Sequence, residues 1–117
     1  MSYLPHNRGV YPNLWSFINN TPKGVSIHEI DKKIDNGPII LRKKIIFPNE
    51  LNQTLSTTYS ILFKEIESLF INNFYKILKN KYKKTYYKSK GSIHYKKNTP
   101  KNLKNWNIKI KNLKQFL

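Results

Sequence analysis

Apolar positions are spaced in more than one way along this chain, and each change of spacing marks an element. Leu14, Trp15, Phe17 and Ile18 fall at helical spacing ahead of Asn19-Asn20-Thr21-Pro22, which predicts a short helix over residues 13–19. From Gly24 the period becomes two. Val25 and Ile27 alternate with polar neighbours and predict a half-buried strand over 24–30. Gly37-Pro38 punctuates the chain, and the apolar run that starts at Ile39 predicts a second strand to residue 47. Arg42, Lys43 and Lys44 lie on its solvent face, and Pro48-Asn49-Glu50 ends it. Strands this close in sequence pair antiparallel, here at one side of a sheet. The period then lengthens to three and four. Leu55, Tyr59, Leu62, Phe63, Ile66, Leu69, Phe70, Phe74, Ile77 and Leu78 predict a helix over 52–79, with Asn52 or Thr54 as its cap. At ~1.5 Å per residue it is roughly 40 Å long, and its apolar stripe needs a sheet or another helix to cover it. Beyond Asn80 the periodicity fades. A brief strand is expected at 92–95, and a weak helix over 103–117 carrying Leu103, Trp106, Ile110, Leu113 and Phe116.

A length of 117 residues bounds the chain to one domain, small for a doubly wound α/β enzyme. It has no cysteine, so disulfides, thiolate chemistry and thiolate metal sites are excluded. No apolar run approaches the roughly 20 residues of a membrane span, and MSYLPHNRGVY lacks the regions of a signal peptide. The expectation is a cytoplasmic protein. The net charge of +16 is uneven: residues 1–60 carry 7 basic and 4 acidic side chains, residues 61–117 carry 15 and 2. Such a basic half can bind nucleic acid or an anionic surface. It equally follows from joint over-use of Lys, Asn and Ile, and the lysines form no repeat that would set them along a groove. The interleaved Lys and Tyr after Asn80 resemble a single-strand nucleic-acid platform by composition alone. Trp15 also has two readings, a ligand-stacking platform or a core aromatic.

Against this basic background the acidic and imidazole groups are concentrated. His28, Glu29, Asp31 and Asp35 are four of the chain's nine such side chains, within eight positions between the two expected strands. Their segment, VSIHEIDKKIDNGPII, resembles the active-site strand and loop of the folate-dependent formyltransferases. That family includes the glycinamide ribonucleotide, methionyl-tRNA and sugar-nucleotide enzymes. Its pattern is V-x-I/V-H, an Asp seven residues after the His, then x-G-x-I. His28, Asp35 and Gly37 stand at these positions. Upstream, LPHNRG resembles the family's L-P-x-x-R-G loop, here Leu4, Pro5, Arg8 and Gly9. The segment GSIHYKK around His94 is similar to the G-S/T-x-H-x-K stretch that follows the long helix in sugar formyltransferases.

The resemblance implies an α/β fold: the C-terminal part of a Rossmann-like formyltransferase domain over residues 1–79, followed by a basic tail over 80–117. It implies that a formyl group moves from 10-formyltetrahydrofolate to an amine, with no metal involved. The attack passes through a tetrahedral oxyanion, which needs a proton acceptor for the amine and donors for the oxyanion. In the family an Asn, a His and an Asp share this work. By resemblance Asp35 is the Asp, orienting the His and taking part in proton removal through an ordered water. The loop 30–35 would line the pteridine side of the folate site, Ile30 and Asp31 through backbone groups and Asp35 through its carboxylate. Leu4, Pro5, Arg8 and Gly9 would form the substrate loop.

The chain also departs from the family pattern. The family's Asn-x-His lies immediately before the segment that begins here at Ser2, so two of the three catalytic side chains are not in these 117 residues. His6 and His28 occupy other family positions. The expectation is therefore a truncated formyltransferase, inactive alone, with a complementing N-terminal half as partner. A nucleotide-linked amino sugar is the expected acceptor. Two alternatives stand beside it: part of a methionyl-tRNA formyltransferase, or a non-catalytic basic module that binds RNA or an anionic surface.

Overall fold

A computed structural model of the protein describes residues 1–33, 35–87 and 91–116. The architecture is mixed α/β. In chain order it comprises β1 (Arg8–Gly9), α1 (Pro12–Ile18), β2 (Gly24–His28), β3 (Ile39–Lys44), α2 (Leu55–Asn72), α3 (Phe74–Leu78) and β4 (Ile93–His94). Three 3₁₀ turns cover Glu50–Asn52, Lys96–Asn98 and Ile110–Phe116.

The expected hairpin is present. β2 and β3 pair antiparallel, from Gly24 opposite Lys44 to His28 opposite Ile39, with an irregularity between Ile27 and His28. Both strands are shorter than the apolar pattern predicts. β2 stops at His28 rather than Ile30, because Gly37 backs directly onto the Glu29 carbonyl and Glu29 N–H bonds the Pro38 carbonyl at 3.0 Å. β3 stops at Lys44 although Ile45 and Phe47 are buried, since its partner strand starts only at Gly24. Ile45 N–H turns instead to the Lys23 carbonyl at 2.8 Å.

The long helix also divides. Thr54 caps α2 in a reciprocal box with Thr57: the Thr57 N–H donates to Thr54 Oγ1 at 3.0 Å and the Thr54 N–H to Thr57 Oγ1 at 2.9 Å. At Asn73 the backbone leaves helical geometry (φ −117°, ψ 11°), and its side-chain amide donates to the Leu69 carbonyl at 2.8 Å. Asparagine competes in this way with the helix's own ladder, which starts α3 as a separate short helix. The α2 stripe is only partly covered. Leu55 and Leu62 are buried and Ile66 and Leu69 half-buried, whereas Tyr59, Phe63, Phe70 and Phe74 are exposed.

Two apolar clusters meet at Phe17. One joins Val25, Ile45 and Phe47 to Leu62 of α2; the other joins Leu14 and Leu55 to Ile110 and Leu113. Burying a side chain such as Leu62 is worth about 1.5–3 kcal/mol. The second cluster draws the C-terminal segment into the core, in a 3₁₀ turn over Ile110–Phe116 rather than a helix from 103. Leu117, the end of that expected helix, lies outside the described residues. The rest of the tail is pinned at intervals. Thr85 bridges Ile39 through two backbone bonds of 2.9 Å, β4 pairs parallel with β1, and Trp106 and Ile108 accept from Ser56 and Leu55 at the start of α2. The brief strand expected at 92–95 is β4.

Candidate active site

Residues 4–10 form a tight loop that opens with a cis Leu4–Pro5 peptide and carries Asn7 in the left-handed region (φ 55°). β1 within this loop pairs with β4, so the N–H groups of Arg8 and Val10 donate to the carbonyls of Ser92 (2.8 Å) and His94 (3.0 Å). Neighbouring N–H groups of an extended segment point to opposite edges. The Gly9 N–H therefore points away from β4, and it donates to Oδ2 of Asp35 at 3.1 Å. No side chain fits at Gly9, where φ is +92° and an added Cβ would run into the His94 carbonyl.

Asp35 itself has positive φ (51°), a conformation Asp tolerates better than most residues. Its other oxygen, Oδ1, lies 3.5 Å from Nε2 of His28, the last residue of β2. His28 Nδ1 is 2.8 Å from the Glu29 carbonyl, which can only accept, so Nδ1 carries a proton. A hydrogen bond between Nε2 and Asp35 then requires a second proton on the pair. Two segments that the family pattern places far apart in sequence, the 4–9 loop and the 28–35 strand and loop, thus meet at one carboxylate.

The loops are tied a second time further out. Arg8 Nη1 donates to Asn36 Oδ1 at 3.1 Å, and Asn36 Nδ2 donates to Asp31 Oδ2 at 3.2 Å. Asp31 Oδ1 accepts the Lys33 N–H at 2.7 Å, and this bond first, then Asn36, holds its carboxyl below the usual carboxylate range. Ile30 stands at 93% exposure, and Ile34 lies outside the described residues.

Asp35 lies between two clefts. One, of about 220 Å³, is lined by Leu4, Pro5, Arg8, Asp35, Gly37 and the tail residues Thr85, Tyr86 and Tyr87, among others. The other, of about 280 Å³, is lined by Ser2, Leu4, Gly9, Ser26, His28 and Asp35 with Met1 and Pro12. Leu4, Pro5, Arg8, Gly9, His28, Asp35 and Gly37 are therefore gathered at one place, Asp31 is tied to it through Asn36, and Ile30 lines neither cleft.

Several contributors carry no motif. Arg42 of β3 is sandwiched between Tyr3 (4.2 Å) and Tyr87 (4.4 Å) and donates to the Leu4 carbonyl at 2.9 Å. Ser26 accepts the Leu4 N–H and donates to the Ser2 carbonyl, both at 2.9 Å. Glu29 takes Tyr82 Oη and Lys84 Nζ, each at 2.9 Å, which lowers its pKa through Lys84 first and Tyr82 second. A serine at an interior strand position was the one visible hint; the tyrosines and lysines of the tail look alike in sequence. Trp15 is half-buried and stacks on His94, with ring centroids 4.4 Å apart and planes 7° apart. Among the described residues no group of three or more His, Cys, Asp or Glu is placed to hold a metal ion, and no helix is long and apolar enough to cross a membrane.

No family model matches the chain. Individual proteins do. It is 31% identical over 95 residues to dTDP-4-amino-4,6-dideoxyglucose formyltransferase of Mycobacterium tuberculosis, covering 81% of this chain and 40% of that protein. It is 40% identical over 85 residues to methionyl-tRNA formyltransferase of Prochlorococcus marinus, covering 68% of this chain and 26% of that protein. Among solved structures it superposes on the formyltransferase PseJ from Anoxybacillus kamchatkensis, in complex with UDP-4,6-dideoxy-4-formamido-L-AltNAc and tetrahydrofolate. The TM-score is 0.87 and the identity 38%, over 96% of this chain and 60% of that one. The chain spans less than half the length of the curated relatives it matches. In sequence and in fold it is a homologue of the sugar N-formyltransferases and methionyl-tRNA formyltransferases, corresponding to part of their length.

Proposed function

We propose that this chain is the C-terminal part of a Rossmann-like formyltransferase domain, and that it serves transfer of a formyl group from 10-formyltetrahydrofolate to the amine of a nucleotide-linked amino sugar. One observation carries the reading: the L-P-x-x-R-G loop and the His28–Asp35 segment meet on the Asp35 carboxylate, through Gly9 N–H at 3.1 Å. The similarity to a solved sugar formyltransferase in complex with tetrahydrofolate supports the same reading.

In this reading Asp35 is the family's aspartate. Gly9 fixes one of its oxygens, so the other keeps a defined direction toward the proton it handles. The cosubstrate, when bound, supplies the formyl carbon. The exposed segment at Ile30 and Asp31 offers peptide donors and acceptors of the kind that pair with the amide edge of a pteridine, so the residues present fit that group. Leu4, Pro5, Arg8 and Gly9 face the acceptor side. Residues 1–79 carry this site, and 80–117 form the basic tail braced against it. The Asn and His of the triad come from a complementary N-terminal half, within a cytoplasmic enzyme.

Purified residues 1–117 alone should transfer no formyl group to a sugar-nucleotide amine above the uncatalysed rate. Residues acting as one catalytic unit are not additive, so the absence of two removes nearly the whole effect. Addition of the complementary half, in cis or as a second chain, should restore transfer. Folate-dependent turnover by residues 1–117 alone, or no turnover after complementation, would sink the proposal. Salt-dependent RNA binding without folate is the outcome that would favour a basic binding module instead.

A further inference from the structure

Asn7 lies at the centre of the 4–10 loop, 1% exposed. Both ends of its side chain are engaged. Nδ2 donates to Thr21 Oγ1 at 2.6 Å, and Oδ1 lies 3.0 Å from His94 Nε2. Since the amide oxygen can only accept, Nε2 of His94 is the donor. Burial lowers the His94 pKa, which keeps the ring neutral near neutral pH, with a single proton to give. The parallel stack on Trp15 fixes the plane in which that proton points.

We infer that His94 is a positioning residue for Asp35: through Asn7 it holds the left-handed turn that aims the Gly9 N–H, two residues on, at the carboxylate. The inference rests on the role proposed for Asp35. The backbone bonds of Arg8 and Val10 to β4 turn the Gly9 N–H away from that strand, and the turn at Asn7, just before β1, sets where along the opposite edge it points. Without the His94 donor, the partner left to Asn7 Oδ1 among the described residues is Ser92 Oγ, at 3.4 Å. A buried amide oxygen so deprived is unfavourable and favours rotation of the side chain. The turn at Asn7 is then held by its N–H on Ser92 Oγ at 2.8 Å and by Nδ2 on Thr21, and loses the tie that fixes its side-chain plane.

Two substitutions separate the donor from the ring. His94→Phe keeps a flat ring against Trp15 and removes the N–H; His94→Gln keeps an N–H donor and removes the ring. Amide hydrogen exchange and the Asp35 carboxyl carbon signal are read by NMR on residues 1–117. With His94→Phe, the Gly9 amide should exchange about tenfold faster or more, and the Asp35 carboxyl signal should move, while the β2 amides of Val25 and Ile27 stay as in the parent. With His94→Gln, Gly9 and Asp35 should return toward the parent values. Unchanged Gly9 and Asp35 signals in His94→Phe would overturn the inference. So would failure of that variant to fold, or equal loosening of β2, since either makes His94 a structural residue only. No substrate enters the measurement, so its outcome is independent of whether formyl transfer is found.

Discussion

The amide nitrogen of Gly9 and Oδ2 of Asp35 are 3.1 Å apart, joining segments separated by 26 residues in sequence. A hydrogen bond to a carboxylate is charge-assisted and stronger than one between neutral groups. It also leaves Oδ1 directed at His28 Nε2, 3.5 Å away. The position of one carboxylate is thereby set jointly by a glycine peptide and by the end of a strand.

Asp35→Asn keeps an acceptor for the Gly9 N–H and discards the charge. In the complemented protein, turnover should fall about 10²–10⁴-fold, the usual worth of a positioned general acid or base. Tetrahydrofolate affinity should be largely retained, because in the proposed site Ile30 and Asp31 would meet the ligand through backbone groups. Near-normal turnover would show that Asp35 has no such role.

Gly37 has no room for a side chain: an added Cβ would strike the Glu29 carbonyl, a backbone atom that cannot swing aside. Gly37→Ala should therefore destabilise the chain by about 1–3 kcal/mol, the range for overpacked sites. Its melting temperature should drop by roughly 5 °C or more. Ile30→Ser, at 93% exposure, is the control and should move it little. Thermal unfolding followed by circular dichroism decides between them, and equal melting temperatures would mean that the hairpin relaxes around the added methyl.

Glu29 predicts an acid limb. Lys84 first, and Tyr82 second, depress its carboxyl below the ordinary 4.5. A depressed carboxyl contributes stability that is fully present above the unfolded value and is lost as pH falls through the folded one. The attachment of residues 82–84 to Glu29 should thus hold above pH 4.5 and loosen below it. Glu29→Gln should flatten that limb, and added salt should do the same in the parent, because these groups are accessible to solvent. Proteolytic nicking after Lys83 or Lys84, followed against pH, reports it; an unchanged limb in Glu29→Gln would assign the acid sensitivity to another group.

Local chemistry alone determined much of this protein. The period-two run at Val25 and Ile27, the Gly37-Pro38 break and the apolar run from Ile39 specify a hairpin, because a strand's faces repeat every second residue whatever it packs on. The Thr54 cap and the spacing of Leu55 and Leu62 specify α2 for the same kind of reason. The paired motifs around Arg8 and Asp35 named the family that the comparisons bear out. Only the tertiary structure decided what the rest of the chain does. Tyr87, Ser92, His94 and Ile110 sit in a lysine-rich stretch where only a brief strand at 92–95 and a weak helical spacing through Ile110 were legible, and their value comes from partners 45 to 87 residues away: Arg42, Asn7 and the Gln53 carbonyl. Contacts of that range depend on where the folded body leaves unpaired peptide groups and gaps, and neighbouring residues carry no record of them. The helix shows the same limit. Its stripe of Tyr59, Phe63, Phe70 and Phe74 reads as core in sequence, yet in the fold the covering surface ends at Leu62, Ile66 and Leu69. Periodicity states which residues share a face; only packing states whether anything lies against it.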